Sequence, residues 1–454
     1  MIFPNLALWG TKQPNDAVGR IDRALNDRTH RLIVGLSVQD DFKKVNGSLV
    51  VSQGHGKYLR LKHVVGESSE IPDSVRQGCL EFTIGSNTDY GQLKQQLFDL
   101  ASVQASVVEK LKCQAGKYVD RVLAVSVCDP GFWSRDFDGR ESYAPMCDST
   151  TLAELSGVSV IDSLPARDLA VRGSGKGLEA LPMWLMFADR NQRVASESRG
   201  LITIDDAGRF YSLPKSDGLD SDVPEIRKFE SVGFKFLDEL IGKYFPLESE
   251  LTYLDQLYAD GKQIPELVSL WEQAIQSCVD SQSGEGIGDL DFEQLGACKI
   301  SEVLVEKADI YLQRNSDLFS NVVRTGICWV LDFLVDRIAS TNQAQGYQVD
   351  DLIVSVAPQY EACVINRLEQ VLSGVAVNSI RKFGVEYDRL PAVVAGVLGL
   401  FHVDQMPANI PWITGAQSQR ILGALTPGRP SSYRLLLRAM ADFNPAPMKL
   451  RDAI

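Results

Sequence analysis

The chain has 454 residues, about three times the ~150-residue domain prior, so it can bury two substantial cores without a disulfide framework or a structural metal. Its 59 acidic side chains outnumber 46 basic ones, and a formal charge of −13 excludes a global electrostatic footprint for nucleic acid or an anionic membrane. With 44% apolar and 23% charged residues, the composition is that of an ordinary globular protein.

Residues 1–30 read as a polar, helix-biased leader ahead of the first strand signal, Arg31-Leu-Ile-Val-Gly-Leu-Ser37. Ser48 to Ser52 gives a second strand, and Tyr58 to Lys62 a third with period-two alternation. The glycines on either side of His55 mark a tight turn between them. Leu93, Leu97, Leu100, Val107, Val108 and Leu111 fall at helical spacing. A buried-strand pattern at Arg121–Ser126, a short helix at Thr151–Leu155 and a strand at Val158–Ile161 follow. A comparable order restarts near Gly200, with a hairpin of Leu201–Ile204 and Arg209–Ser212 and a helix expected over Glu230–Tyr244. Acidic helices occupy 248–311, where the charge reads as a solvated face, interrupted by the Gly/Ser-rich loop 281–288, and a long helix covers Asp317–Ser340. Strand Leu352–Ser355, helix Tyr360–Val371, strand Val375–Val377 and helix Leu390–Phe401 complete the series.

Two passes through strand-strand-strand-helix-strand-helix-strand imply duplicated α/β halves facing a cleft, the architecture of the actin, Hsp70 and sugar-kinase superfamily with its ribonuclease H-like domains. The expected boundaries are 31–199 for the first half, 200–430 for the second with its helical insertion at about 248–311, and 431–454 for a C-terminal helix and tail. Eight cysteines, none in a C-x-x-C spacing, and four histidines argue against a zinc site. The start lacks the features of a signal peptide, and no apolar run is long enough to span a membrane. These signs imply a reduced, cytoplasmic protein.

One stretch carries a specific resemblance. Leu152-Ala-Glu-Leu-Ser-Gly-Val-Ser-Val-Ile-Asp162, continued by Ala166-Arg-Asp-Leu-Ala-Val-Arg-Gly-Ser-Gly175, is similar to the Arg/Asp motif and glycine loop of anhydro-N-acetylmuramic acid kinases. Ile413-Thr-Gly-Ala416, with Leu422-Gly423 and Pro427-Gly428, resembles that family's C-terminal signature. The resemblance implies an ATP- and magnesium-dependent kinase of amino-sugar and cell-wall recycling, which opens a 1,6-anhydro bridge with water while phosphorylating the 6-oxygen. It implies Asp168 as the general base, and Arg167, Gly173, Ser174 and Gly175 on the sugar side. Read without it, Asp168 is an aspartate that caps a turn or pairs with Arg167 or Arg172.

The departures fall in the phosphate loops. The first loop of the family is replaced by Val38-Gln-Asp-Asp-Phe-Lys-Lys-Val-Asn46, its later Asn-Ile-Gly-Gly by Thr203-Ile-Asp-Asp206, and its Phe-Asp-Thr-Gly-Pro-Gly-Asn segment by Phe229-Glu-Ser-Val-Gly-Phe-Lys235, which sets Phe234 against a glycine. The degenerate nucleotide positions are Asp40, Asp41, Lys43, Asp205, Asp206 and Ala357, the last within Ser355-Val-Ala-Pro-Gln359 where the family has three glycines. A carboxylate ~4 Å from a phosphate costs about 4 kcal/mol at an effective dielectric near 20, while Val and Pro forbid the close backbone approach that Gly permits. The expectation is a pseudokinase, sugar-binding protein or scaffold with no certain cofactor. The alternative is an active divergent kinase that uses ATP and Mg2+, with a magnesium site rebuilt from Asp40, Asp41, Asp205 or Asp206. The expected partners are a small amino sugar and, in a third reading, a second copy in a homodimer, with no nucleic acid and no membrane. Gly173-Ser-Gly-Lys-Gly177 lacks the spacing of a P-loop. Trp133, Phe137 and Tyr143 form an aromatic-rich loop that packs locally or stacks on a sugar ring, and Cys128 has no histidine to activate it.

Overall fold

Apolar runs of five to seven residues with β-branched side chains bury on both faces, and Arg31–Val38 does so as strand β1, entirely inaccessible from Leu32 through Leu36. The computed structural model describes residues 30–39, 41–83, 89–135, 140–188, 198–215, 225–245, 254–280, 297–315, 318–345 and 349–442. Nearly all of the expected leader, Asp40, Phe137, the 281–288 loop and the last twelve residues lie outside these.

From β1 the chain continues through β2 (Lys44–Gln53), β3 (Arg60–Glu70), α1 (Asp73–Thr83), α2 (Tyr90–Ala115), β4 (Val122–Cys128), the hairpin β5 (Phe132–Arg135) and β6 (Glu141–Ala144), α3 (Ser149–Ser156), β7 (Val160–Asp162), α4 (Ala166–Leu169) and α5 (Ala180–Phe187). A second series comprises β8 (Ser198–Ile204), β9 (Ala207–Leu213), β10 (Arg227–Val232), α6 (Lys235–Tyr244), α7 (Leu254–Asp260), α8 (Pro265–Asp280), α9 (Ala297–Arg314), α10 (Phe319–Gln345), β11 (Val349–Val356), α11 (Pro358–Val371) and β12 (Ala376–Ser379). The chain ends in α12 (Leu390–Val403), α13 (Pro411–Thr414), β13 (Ala424–Thr426) and α14 (Pro430–Asp442).

The chain forms two compact units, one of Met1–Met186 with Gly384–Ile454, the other of Phe187–Phe383. This grouping differs from the division drawn from sequence, which gives everything from 200 to 430 to the second half. The physical reason is α12. Twelve of its fourteen residues are buried, and it packs on β1, β2 and β4 of the first unit. A Cβ at Gly35 would stand 1.8 Å from the Ala392 carbonyl oxygen, and one at Gly399 would stand 2.5 Å from the Ser126 Cβ. Glycines at these crossings let helix and sheet backbones approach closely. The opposite face of the sheet takes α2 through Leu100, Val107, Val108 and Leu111.

The sheets of the two units share one plan. In the first, the order is β13-β7-β4-β1-β2-β3, and in the second β10-β9-β8-β11-β12. In each, three antiparallel strands lead and two parallel strands join the first of them: Gly35 pairs Ser126, Ser126 pairs Ile161, Ile202 pairs Val354 and Leu352 pairs Val377. The protein is therefore α/β with two mixed sheets flanked by helices, and the repeated strand order is that of a duplication.

Three local expectations shift. The third strand starts at Arg60, not Tyr58, and runs to Glu70, because a 3-10 turn over Gly56–Tyr58 precedes it and the Asp404 carboxylate holds the Gly56 N–H at 2.9 Å. The helix expected from Glu230 starts at Lys235. Its first residues are strand β10, paired along β9 with Phe229 stacked on Phe210 at 6.3 Å. The acidic 254–311 helices are not simply a solvated face, since Leu254, Leu267, Trp271, Leu304 and Ala308 supply the second unit's core. Among the described residues no helix is long and apolar enough to cross a membrane.

Candidate functional site

The segment after β7 is built around Asp168. Pro165 opens the one-turn helix α4, which places Asp168 with no solvent exposure. Its Oδ1 accepts from Asn409 Nδ2 at 2.7 Å and from Thr414 Oγ1 at 2.9 Å, and its Oδ2 accepts from the Gly175 N–H at 2.9 Å. A Cβ at Gly173 would stand 1.9 Å from that Oδ2, so only glycine lets the turn close on the carboxylate. The Ser174 N–H donates to the Thr414 carbonyl at 2.7 Å, and the Gln417 N–H to that of Val171 at 2.9 Å. The two motifs that carry the family resemblance are thus one hydrogen-bonded body inside the first unit. Arg167 and Arg172 are exposed, and the groups that satisfy Asp168 come from Asn409, Thr414 and Gly175 instead.

Trp133 lies against this turn, 39% exposed. Its Nε1 donates to the Pro130 carbonyl at 2.7 Å, its ring packs on Tyr143 at 5.1 Å, and a Cβ at Gly175 would stand 3.0 Å from it. Gly175 also has φ +70°, a second reason for glycine there. Lys176 Nζ stands 5.8 Å from the Trp133 ring centre and 3.3 Å from Glu141 Oε1, while the Ser174 hydroxyl accepts from the Lys176 N–H at 3.2 Å. An anchored, partly exposed indole beside a cation and a carboxylate is suited to a sugar ring, which offers an apolar face and hydroxyls at its rim.

Beneath this platform two carboxylates end neighbouring parallel strands, Asp129 just after β4 and Asp162 at the end of β7. Asp129 accepts from the Tyr143 hydroxyl and from the N–H groups of Met146 at 2.8 Å and Cys147 at 2.6 Å. Burial raises the Asp129 carboxyl against the pull of these three donors. Burial, with the charge of Asp129 adding to it, pushes Asp162 up to about 6 from an ordinary 3.8. The folded state holds this proton more tightly than the unfolded chain does. The stability it contributes is fully present below about pH 4 and is lost as pH rises through about 6. Asp162→Asn is therefore expected to gain stability relative to wild type as pH rises from about 4 to about 7, measured by urea unfolding at each pH. A difference that stays flat over that range contradicts the assignment.

The positions aligned with the family's phosphate loops are differently built. At the β1–β2 turn Phe42 takes φ +53° and inserts into the core, while Asp41 pairs with Lys43 at 2.7 Å on the surface. Asp40, expected in the same loop, lies outside the described residues. In the second unit Asp205 accepts from Arg209 Nη1 at 2.7 and 2.9 Å, and Asp206 pairs with Lys235 at 3.2 Å. These ion pairs correct the picture of two bare carboxylates repelling a phosphate: each charge is locally compensated. Phe234 is buried where the family's segment has glycine, and packs on Tyr360 at 4.6 Å. The Tyr360 hydroxyl donates to Asp238 at 2.7 Å. Ala357 caps α11, and Pro358 follows it without an N–H to offer. Among the described residues no group of three or more His, Cys, Asp or Glu is arranged to hold a metal.

The family profile described as "Anhydro-N-acetylmuramic acid kinase" matches residues 311–428, the stretch that contains Asn409 and Thr414. The anhydro-N-acetylmuramic acid kinase of Cupriavidus pinatubonensis is 23% identical over 385 residues, covering 80% of this chain and 94% of its own. The chain is similar to anhydro-N-acetylmuramic acid kinases. That of Salinibacter ruber is 24% identical over 430 residues, with 89% and 98% covered. In that of Pseudomonas syringae pv. tomato, identity reaches 35% over 98 residues, 22% of this chain and 27% of that one. Amino-sugar kinases are thus its relatives along most of its length.

Asn409, Lys176 and the Asp129–Asp162 pair are not singled out as site residues by sequence reasoning. Asp129 and Asp162 each close an apolar strand run, Ser126-Val-Cys-Asp129 and Val158-Ser-Val-Ile-Asp162, and a carboxylate at the carboxyl end of a parallel strand is a usable signal.

Proposed function

We propose that this chain is a sugar-binding relative of the anhydrosugar kinases that does not use ATP. The observation that carries the reading is the Phe234–Tyr360–Asp238 contact, because an aromatic pair and its hydrogen bond fill a place the resemblance assigns to glycine and phosphate. Phosphate cradles need free N–H groups and close backbone approach. Phe42 is buried at the first of these turns, Asp205 and Asp206 are ion-paired at the second, and Pro358 has no N–H at the third, which favours no such cradle. These residues do not fit a magnesium nucleotide.

The sugar side is better preserved. Trp133 with Lys176, Glu141 and the Gly173–Gly175 turn offers a stacking surface with hydrogen-bonding groups at its edge, and Arg167 is exposed on the neighbouring turn. Asp168 in this reading organises that turn, since both its oxygens are already engaged. A general base needs reach to its proton donor, directly or through one water, and a fully buried carboxylate that already accepts three hydrogen bonds gives neither.

A coupled ADP-release assay with anhydro-N-acetylmuramic acid and magnesium ATP is expected to give no turnover above a no-enzyme blank. Thermal shifts run beside it should move with the sugar alone and stay unchanged with the nucleotide alone. Steady ADP release that requires both ligands contradicts the proposal.

A further inference from the structure

The second unit holds a pocket of about 220 Å³ that the proposed sugar site does not involve. It is lined by Ser231 and Val232 of β10, Glu272 and Ile275 of α8, and Trp329, Val330 and Phe333 of α10. Five of these seven are apolar. Ser231 already donates to the Gly208 carbonyl at 3.2 Å, so Glu272, exposed at the mouth, is the charged group that remains among the lining residues.

The walls are fixed. Trp329 packs on Trp271 at 5.3 Å and edge-on to Phe236 at 6.3 Å, and Val330 and Ile275 belong to the unit's core. An apolar cavity of about 150 Å³ stays dry and takes up benzene, whereas drug-sized sites begin near 300 Å³. The space therefore suits one aromatic ring with a short tail. Its chemistry selects the tail, since the Glu272 carboxylate at the mouth and the Trp329 indole in the wall favour a cation, while the Phe333 ring already carries the Arg337 guanidinium at 5.1 Å.

We infer that this pocket is a binding site for a small arylalkyl ammonium ion, its ring among Val232, Ile275, Trp329 and Phe333 and its nitrogen at Glu272. The site is independent of the sugar reading.

Isothermal titration and saturation-transfer NMR of the full chain with phenethylamine, phenylethanol and phenylacetate test it. Affinity should fall in that order, with the amine about three- to tenfold tighter than the acid, the size expected for one exposed charge. Glu272→Gln should bring the amine and the alcohol within about twofold of each other, and Ile275→Trp should abolish binding of all three. Glu272 is exposed, so Glu272→Gln remains informative if the filled variant does not fold. Absence of binding at millimolar probe, an undiminished preference for the amine over the alcohol in Glu272→Gln, or full binding in a folded Ile275→Trp variant would overturn the inference.

Discussion

Asp168→Ala is expected to lower the unfolding free energy by about 3–5 kcal/mol, because it strands the Thr414 hydroxyl and the Gly175 N–H and takes from the Asn409 amide one of its two acceptors. Each unsatisfied buried donor costs about 1–3 kcal/mol, and all three meet on a carboxylate with no solvent exposure. Asp168→Asn is expected to cost about 2–3 kcal/mol, since its amide must turn a donor toward either the Gly175 N–H or the Asn409 and Thr414 donors. Urea unfolding of the two variants against wild type measures both. A loss below about 1 kcal/mol for Asp168→Ala would mean that water enters and satisfies the donors. Asp168 would then be accessible enough to act as a base.

An effect of similar size is expected at Asp404, at the other end of β1. Its carboxylate has no exposure and receives the Arg31 guanidinium, the Gly56 N–H at 2.9 Å and the His55 ring nitrogen at 2.9 Å. Arg31 also donates to the Gly54 carbonyl at 2.6 Å, so one ion pair ties the start of β1, the β2–β3 turn and the end of α12. Asp404→Leu leaves a nearly buried guanidinium without its counter-charge, and breaking a buried pair from one side costs about 3–5 kcal/mol. The double variant Arg31→Met with Asp404→Leu should recover at least half of that loss, because the stranded charge, more than the attraction, dominates. If the double variant is as unstable as the sum of the singles, the pair carries no coupling and this account of the α12 junction is wrong.

The duplicated plan is legible in sequence wherever burial is two-sided. The runs at Arg31–Ser37 and Leu352–Ser355 fall inside observed strands, as do both strands of the 201–212 hairpin, and the run at Arg121–Ser126 does so from Val122. Strand β10 is not, because Arg227-Lys-Phe-Glu alternates weakly and leads straight into a helical pattern. The return of α12 to the first unit is a non-local fact. Its only local trace is glycine at 396 and 399, facing Gly35 and Ser126. The role of Asp168 was hidden for the same reason, since Asn409 lies 241 residues further along the chain. The two blocks that carry the family resemblance were visible as separate motifs, and only the fold joins them through the Ser174–Thr414 bond.

The opening excess of acid also divides differently in three dimensions. Asp205, Asp206 and Asp41 are paired with Arg209, Lys235 and Lys43. The proposed loss of nucleotide binding rests on the burial of Phe42 in the first unit and of Phe234 and Tyr360 in the second more than on net negative charge.

Calorimetric titration of anhydro-N-acetylmuramic acid into the full chain, with and without magnesium ATP, tests the central claim most directly. The account predicts binding heat from the sugar that is lost in Trp133→Ala and is the same with or without the nucleotide, and no heat from the nucleotide itself. Saturable magnesium-ATP binding, or sugar binding that appears only in its presence, would contradict it.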